Sequence, residues 1–319
     1  MGARGHPHFH FLLSLGVLVC LKVAAGSLPL ASPSRLPLQK KNFELGQPVP
    51  VSPEFEGYDN EGKPIYWDPR PRVVPLGRGR YAFKWFGRKG RELTLIYERP
   101  DAVDVIVEAS VATSTPRSIS YLYKVRVMDT SGVPLIGFVV QTFSPKVKPV
   151  TNSTTFAGKM AGFIREFSDG NWIRFAPFGG RNELPPGRQA DFALVSPDLP
   201  GLVACRVHGG SFMVEGVGEE PPTALENLYL GHDAWPHGYT IGPDERLAKM
   251  SLAARLKYLV ERLPQMLQLG WIENQKVMQW YGTNLKAGKV AEVRARAEAD
   301  FKKNLITSEV LALMTYLTR

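Results

Sequence analysis

The sequence predicts an α+β protein in which an antiparallel β-sandwich is followed by a helical C-terminal region. Short segments of alternating apolar and polar residues recur through residues 58–217, and turns rich in Gly and Pro separate them, as is typical of a sandwich. From residue 243 onward, apolar residues recur at spacings of three and four, which is the periodicity of helices. Residues 218–242, which contain Pro221 and Pro222, are predicted to be a linker or loop.

Residues 1–26 are predicted to be a signal peptide. Arg4 supplies a basic start, residues 9–21 are almost continuously apolar, and small residues near Ala25 and Gly26 suit cleavage. The apolar run is shorter than the roughly 20 residues that span a bilayer. We therefore expect a secreted or periplasmic protein without a transmembrane segment in its mature chain. Cleavage would remove Arg4 and Lys22 and no acidic residue, so the net charge would fall from +9 to +7.

The mature chain is then expected to begin with an extended leader at residues 27–57, where six prolines stand among polar residues. The first strands are predicted at 81–86, 92–99, 103–111, 119–128 and 135–143. Further strands are predicted at 164–167, 171–175, 190–196, 202–208 and 211–214.

Only one cysteine, Cys205, follows the predicted signal peptide, so an intrachain disulfide is excluded in the mature chain. An exported protein without disulfides must take its stability from its hydrophobic cores. Val203, Cys205 and Val207 share one face of a predicted strand, which indicates a buried thiol.

The helical region, residues 243–319, begins with a clear apolar face. Leu252, Leu256, Leu259 and Leu263 lie three or four residues apart, and Pro264 is expected to kink or end their helix. Further helices are predicted at 271–281, at 286–303, and after a cap at residue 307 or 308.

Residues 121–209 carry a series of strand and turn features. These are alternation from Tyr121 to Val127, a turn at Ser131 and Gly132, Trp172, the pair Pro186-Gly187, alternation from Phe192 to Ser196, and Pro200-Gly201. The segment resembles immunoglobulin-like or fibronectin-like modules of uncharacterised secreted bacterial proteins. The resemblance implies an immunoglobulin-like sandwich, an extracellular setting and an adhesive or scaffolding role. It carries over no catalytic residues.

Residues 70–91 form what we call the basic–aromatic stripe. It contains eight basic residues and no acidic one, with four aromatic residues among them. The candidate ligand-binding residues are Arg78, Arg80, Tyr81, Lys84, Trp85 and Arg88. Such a surface could attract an anionic polysaccharide or an envelope surface, or contact another exported protein. The alternative is a solvated sheet face whose aromatic side chains point into the core. Nucleic acid is not the expected partner, because the chain lacks a recognition motif.

A second candidate site lies near His232. His232, Asp233 and His237 fall within six residues and could contribute metal ligands, although a zinc site needs three or four ligands at close range. The alternative is an ordinary polar loop. No cofactor is predicted.

The chain lacks the G-x-S-x-G, H-E-x-x-H and phosphate-loop motifs. We therefore expect a non-enzymatic binding or assembly protein. One alternative is a secreted hydrolase acting on an extracellular or envelope glycan, and another is a metal-dependent site around His232. A deep cleft lined by carboxylates would favour the hydrolase, and a closed sandwich with a basic stripe would favour binding.

Overall fold

A computed structural model describes residues 52–115, 117–150, 155–156, 159–167, 171–177, 183–210, 218–230 and 235–319. These residues form a mixed α+β fold with mostly antiparallel sheets and six α-helices. The predicted signal peptide, most of the predicted leader and two of the predicted metal ligands, His232 and Asp233, lie outside the described residues.

The first five strands form two small sheets. Strand β1 (Glu54–Tyr58) pairs with β2 (Pro64–Trp67) as a hairpin. Strands β3 (Arg72–Gly77), β4 (Arg80–Phe86) and β5 (Glu92–Glu98) form a three-stranded antiparallel sheet in that order.

The remaining strands form two larger sheets. They are β6 (Val105–Thr115), β7 (Ser118–Val127), β8 (Leu135–Thr142), β9 (Lys148–Pro149), β10 (Thr155–Phe156), β11 (Lys159–Phe167), β12 (Asn171–Pro177), β13 (Gln189–Ser196), β14 (Leu199–Gly209) and β15 (His237–Asp244). One sheet has the order β6-β7-β13-β9 and the other the order β10-β11-β12-β8-β14-β15.

Alternation in the strands places the main core between these two larger sheets. In β7 the buried residues include Tyr121 and Tyr123, on the face that the sequence pattern predicted. The Tyr123 ring lies 5.6 Å from that of Phe138 on β8, and the Phe175 ring of β12 lies 4.8 Å from that of Phe192 on β13. These aromatic contacts connect the sheets across a continuous apolar layer.

Cys205 lies in the same core, which confirms the prediction of a buried thiol. Burial raises the pKa of Cys205 to about 12 because a thiolate would lose its hydration there. The cysteine is therefore a packing residue and not a nucleophile.

The segment predicted as a linker, residues 218–242, contains regular secondary structure. It contains helix α1 (Thr223–Leu230) and most of β15, which pairs antiparallel with β14. Gly242 permits close packing here, because a Cβ at that position would lie 2.9 Å from Cγ2 of Val203. The prediction of a loop is wrong for the part of β15 that lies in this segment. The glycines and the proline of β15 are typical of turns, but pairing with β14 stabilises the strand.

Five further helices follow: α2 (Glu245–Ala248), α3 (Leu252–Gln268), α4 (Gln275–Lys286), α5 (Val290–Lys302) and α6 (Ser308–Leu317). Helix α3 buries Leu259 and Leu263 and continues past Pro264 to Gln268, so the proline does not end it. Side-chain caps at Ser251 and Asn274 satisfy backbone donors at the starts of α3 and α4.

Helix α6 packs along β6, an edge strand of the four-stranded sheet. The Ala109 amide donates to Glu309 Oε1 at 2.6 Å, and Ser308 Oγ donates to the Ala109 carbonyl at 2.8 Å. Further along, Thr113 Oγ1 lies 2.9 Å from the Tyr316 hydroxyl. These contacts cover the strand edge, so the helices and the sheets share one core.

Candidate functional site

The three-stranded sheet separates three of the four aromatic residues of the stripe from its basic residues. Tyr81, Phe83 and Trp85 alternate along β4 and face a small second core, which includes Leu225 of α1. Trp85 is only 1% exposed, so its ring is not available to a ligand in this arrangement.

The opposite face of β4 carries basic residues that are paired with acids of β5. Arg80 lies 3.2 Å from Glu98, and Lys84 lies 3.4 Å from Glu92, which also pairs with Arg72. Residues 54–98 contain nine basic and seven acidic residues, so the net charge of this part of the chain is only +2. The acidic partners come from just beyond the stripe, and cross-strand pairing brings them back onto it.

The six candidate residues therefore do not form one surface. Arg78 lies apart in the turn between β3 and β4, exposed and with a left-handed backbone at φ 49°. Arg88 is the member that reaches a concave surface, as described next.

We call this concave surface the hairpin cleft. It lies between the β1–β2 hairpin and the β4–β5 turn and has a volume of about 450 Å³. Its lining residues are Glu56, Ile65, Tyr66, Trp67, Asp68, Arg70, Phe86, Gly87, Arg88 and Gly90.

Rings and guanidinium groups are held together in the cleft. The Trp67 indole donates from Nε1 to the Phe86 carbonyl at 2.7 Å, which fixes the orientation of the ring. The Arg88 guanidinium lies 5.8 Å from the Trp67 ring centroid, and that of Arg70 lies 6.0 Å from the Phe86 centroid.

Each of these guanidinium groups also has a carboxylate partner. Arg88 pairs with Glu56 at 2.9 Å, and Arg70 pairs with Asp68 at 3.0 Å. Since the two positive and two negative side chains cancel, the lining of the hairpin cleft has no net charge.

The segment that leads into α1, residues 219–223, anchors the cleft. The Arg88 amide donates to Glu219 Oε2 at 2.7 Å, and the Thr223 amide donates to Glu54 Oε1 at 2.9 Å. A Cβ at Gly87 would lie 2.8 Å from the same Glu219 oxygen, so glycine permits the close approach. Both edges of the cleft are thus tied to one segment.

The aromatic surface extends from the cleft onto the hairpin. Phe55, Tyr58 and Tyr66 are 55%, 68% and 59% exposed. The Phe55 ring lies 5.2 Å from that of Tyr58 and 6.0 Å from that of Tyr66, which also lines the cleft. Exposed aromatic clusters of this kind are typical of binding surfaces.

The candidate ligand-binding residues did not include Tyr66, Trp67 or Arg70, although Arg70 is the first residue of the basic–aromatic stripe. The turn at residues 59–62 is visible in the sequence, and the Asp59 carboxylate accepts from the amides of Glu61 and Lys63 at 2.9 and 2.8 Å. The four- and five-residue strands on either side are too short for a periodicity argument.

The predicted metal site is represented by His237 alone, which is exposed on β15. Within the described part of the chain, no three His, Cys, Asp or Glu side chains are arranged to hold a metal ion. None of the helices in that part is long and apolar enough to cross a membrane.

Comparison with known proteins gave structural likenesses only. No protein-family model matches the chain, and no curated protein matches it. An uncharacterised Nocardia farcinica protein with an immunoglobulin-like fold is 12% identical, with a TM-score of 0.24, over 41% of this chain and 94% of that one.

Two other solved structures come from carbohydrate-active proteins. The exo-β-N-acetylglucosaminidase of Vibrio harveyi is 11% identical, with a TM-score of 0.23, and the match covers 35% of this chain but only 16% of the enzyme. The chitin-binding domain of Chi18aC from Streptomyces coelicolor is 16% identical, with a TM-score of 0.21, over 34% of this chain and 92% of the domain. At TM-scores this low, none of these likenesses assigns a fold family or an activity to this chain.

Proposed function

We propose that this chain is an exported, non-enzymatic binding protein that holds a saccharide chain in the hairpin cleft. In this proposal the two larger sheets are an immunoglobulin-like sandwich, the C-terminal helices brace it, and the small sheets at the N-terminal end present the ligand site. The alternative of a glycan hydrolase is tested by the same experiment.

The observation that carries the proposal is the composition of the cleft. Trp67, Tyr66 and Phe86 provide ring surfaces, and the Arg88–Glu56 and Arg70–Asp68 pairs provide polar groups in fixed positions. Sugar rings present apolar C–H faces to aromatic rings and hydroxyls to charged partners, so both halves of this lining have a counterpart in a saccharide.

The neutral lining favours ring stacking over attraction of a polyanion as the main source of affinity. An acidic saccharide would place its anionic groups at the rim, near Lys89 and Arg91, which flank Gly90. Both are exposed, and no carboxylate of the described residues lies within ion-pair distance of either. The ligand class is therefore a polysaccharide, with acidic sugars tolerated or preferred.

The cleft carboxylates Glu56 and Asp68 are the groups that a hydrolase would use. Each is already engaged by a guanidinium group, which suits a role in holding the lining together. A binding protein leaves the polymer intact, whereas a hydrolase releases new reducing ends.

The test is binding of the purified chain to insoluble chitin and cellulose by depletion, and to alginate and pectate by affinity electrophoresis. Tyr66→Ala removes an exposed cleft ring, and Phe301→Ala removes a ring of 40% exposure on α5 as the matched control. We expect Tyr66→Ala to weaken binding about tenfold and Phe301→Ala to change it less than twofold. Equal affinities for both variants, or no binding to any of the four polymers, would overturn the proposal, and release of reducing ends would favour the hydrolase.

A further inference from the structure

A second cationic surface lies on the six-stranded sheet, remote in sequence from the stripe. Arg174 on β12 and Arg206 on β14 both pair in register with Val139 of β8, so they lie on the same face with one strand between them. At a strand spacing of about 4.8 Å, their Cα atoms lie about 10 Å apart. This face is opposite to the one that buries Phe138 and Cys205.

Stacking on indole rings fixes both arginine side chains. The Arg206 guanidinium lies 4.5 Å from the Trp172 centroid, and that of Arg174 lies 5.3 Å from the Trp235 centroid. The Trp235 ring also stacks on the His208 ring, with 4.5 Å between the centroids and an interplanar angle of 11°. A ring contact of this kind restricts the motion of a guanidinium group, and the exposed Arg206 side chain can donate N–H groups to an acceptor from solvent.

The positive charge of Arg206 is not compensated as that of the stripe is. Arg206 is exposed, and none of the carboxylates that the structure describes lies within ion-pair distance of it. Its register partner on β15 is His237, a second exposed side chain with nitrogen atoms. Arg80 and Lys84 of the stripe, by contrast, each have a carboxylate partner.

We propose that this surface, which we call the arginine face, binds sulfate or phosphate ester groups carried on a polymer. Planar guanidinium edges bind such tetrahedral oxyanions through two parallel hydrogen bonds, and the indole contacts reduce the entropy that ordering the arginines would cost. The residues of the site are Arg174, Arg206, His208 and His237, with Trp172 and Trp235 as supports. The site is independent of the hairpin cleft and does not require that cleft to bind saccharide.

The experiment compares the affinity of the purified full chain for dextran sulfate, unsulfated dextran and polyphosphate at one fixed salt concentration. Arg206→Gln removes the positive charge and the planar guanidinium group with its paired N–H donors. The matched control is Arg188→Gln, which makes the same change at an exposed arginine in the turn before β13. We expect dextran sulfate to bind at least tenfold more tightly than dextran, Arg206→Gln to weaken it about tenfold, and Arg188→Gln to weaken it less than twofold.

If Arg206→Gln and Arg188→Gln lose affinity for dextran sulfate equally, the polymer is attracted by overall charge and the proposal is overturned. Absence of binding to both anionic polymers would also overturn it. A preference for dextran sulfate or polyphosphate supports the site and identifies whether it favours sulfate or phosphate groups. If Arg206→Gln fails to fold, as judged by circular dichroism, Arg206→Lys replaces it, with an expected loss of about threefold because lysine lacks the planar fork. Unchanged affinity in the lysine variant overturns the assignment. Polyphosphate has no sugar ring to stack in the hairpin cleft, so a loss of polyphosphate binding in Arg206→Gln separates this site from that cleft.

Discussion

Substitution of Glu309 should show how strongly the last helix stabilises the β6 edge. The carboxylate is 2% exposed and accepts from the Ala109 amide at 2.6 Å. Glu309→Ala leaves this buried amide without its acceptor, at about 1–3 kcal/mol, and removes one buried methylene, at about 0.8 kcal/mol. We therefore expect a loss of about 2–4 kcal/mol in the free energy of unfolding, measured by urea denaturation with a near-ultraviolet signal.

Glu309→Gln keeps an oxygen acceptor and serves as the control for shape. Burial raises the pKa of Glu309, so the folded chain holds this proton more tightly than the unfolded chain does. The wild-type chain must then lose stability relative to Glu309→Gln as the pH rises above about 4.3, the ordinary value for glutamate. Two results would contradict this reasoning. One is a loss of less than about 0.5 kcal/mol in the free energy of unfolding of Glu309→Ala. The other is a wild-type chain that gains stability relative to Glu309→Gln as the pH rises.

Two further predictions concern the core. Because burial raises the pKa of Cys205 to about 12, its thiol should not react with a disulfide reagent at pH 8 until urea unfolds the chain; rapid labelling of the folded chain would contradict a buried position. Gly242→Ala should cost about 1–3 kcal/mol, because its Cβ would lie 2.9 Å from Val203 Cγ2 and 3.1 Å from the Gln141 carbonyl. The matched variant is Gly282→Ala within α4, where the new Cβ would meet only Cδ1 of Leu263 on α3, at 3.6 Å. This variant should instead stabilise the chain by up to about 1 kcal/mol, because alanine favours helix more than glycine does. A urea midpoint that falls equally in both glycine variants would show that the β14–β15 contact is not the cause.

Local patterns predicted much of the secondary structure. Alternation along β7 correctly predicted that Tyr121 and Tyr123 are buried. Leucine spacing correctly predicted the face of α3 that buries Leu259 and Leu263, whereas Leu252 at the start of the helix is exposed. Strand β15 was missed because His-Gly-Tyr-Thr-Ile-Gly-Pro-Asp has turn-forming residues at the positions where a strand argument needs apolar ones. Its pairing with β14 is a tertiary interaction that no local window contains.

The site was harder to predict, for a related reason. The stripe was defined by a window of residues without acids, but β5 places Glu92 and Glu98 beside Arg72, Arg80 and Lys84. The hairpin cleft brings together Glu56, Trp67 and Arg88, and the arginine face joins residues from three separate segments. Only the pairing of distant strands creates these surfaces.

The most direct measurement of the proposed saccharide site is the change in tryptophan fluorescence when a bound polysaccharide is titrated into the chain. Trp67→Phe removes the cleft indole, and Trp280→Phe is the matched control, because Trp280 is a half-buried indole with an arginine, Arg296, 5.3 Å from its centroid. If saccharide stacks in the hairpin cleft, the fluorescence change is present in the wild type and in Trp280→Phe and is lost in Trp67→Phe. A change that persists in full in Trp67→Phe would contradict a saccharide site at the hairpin cleft.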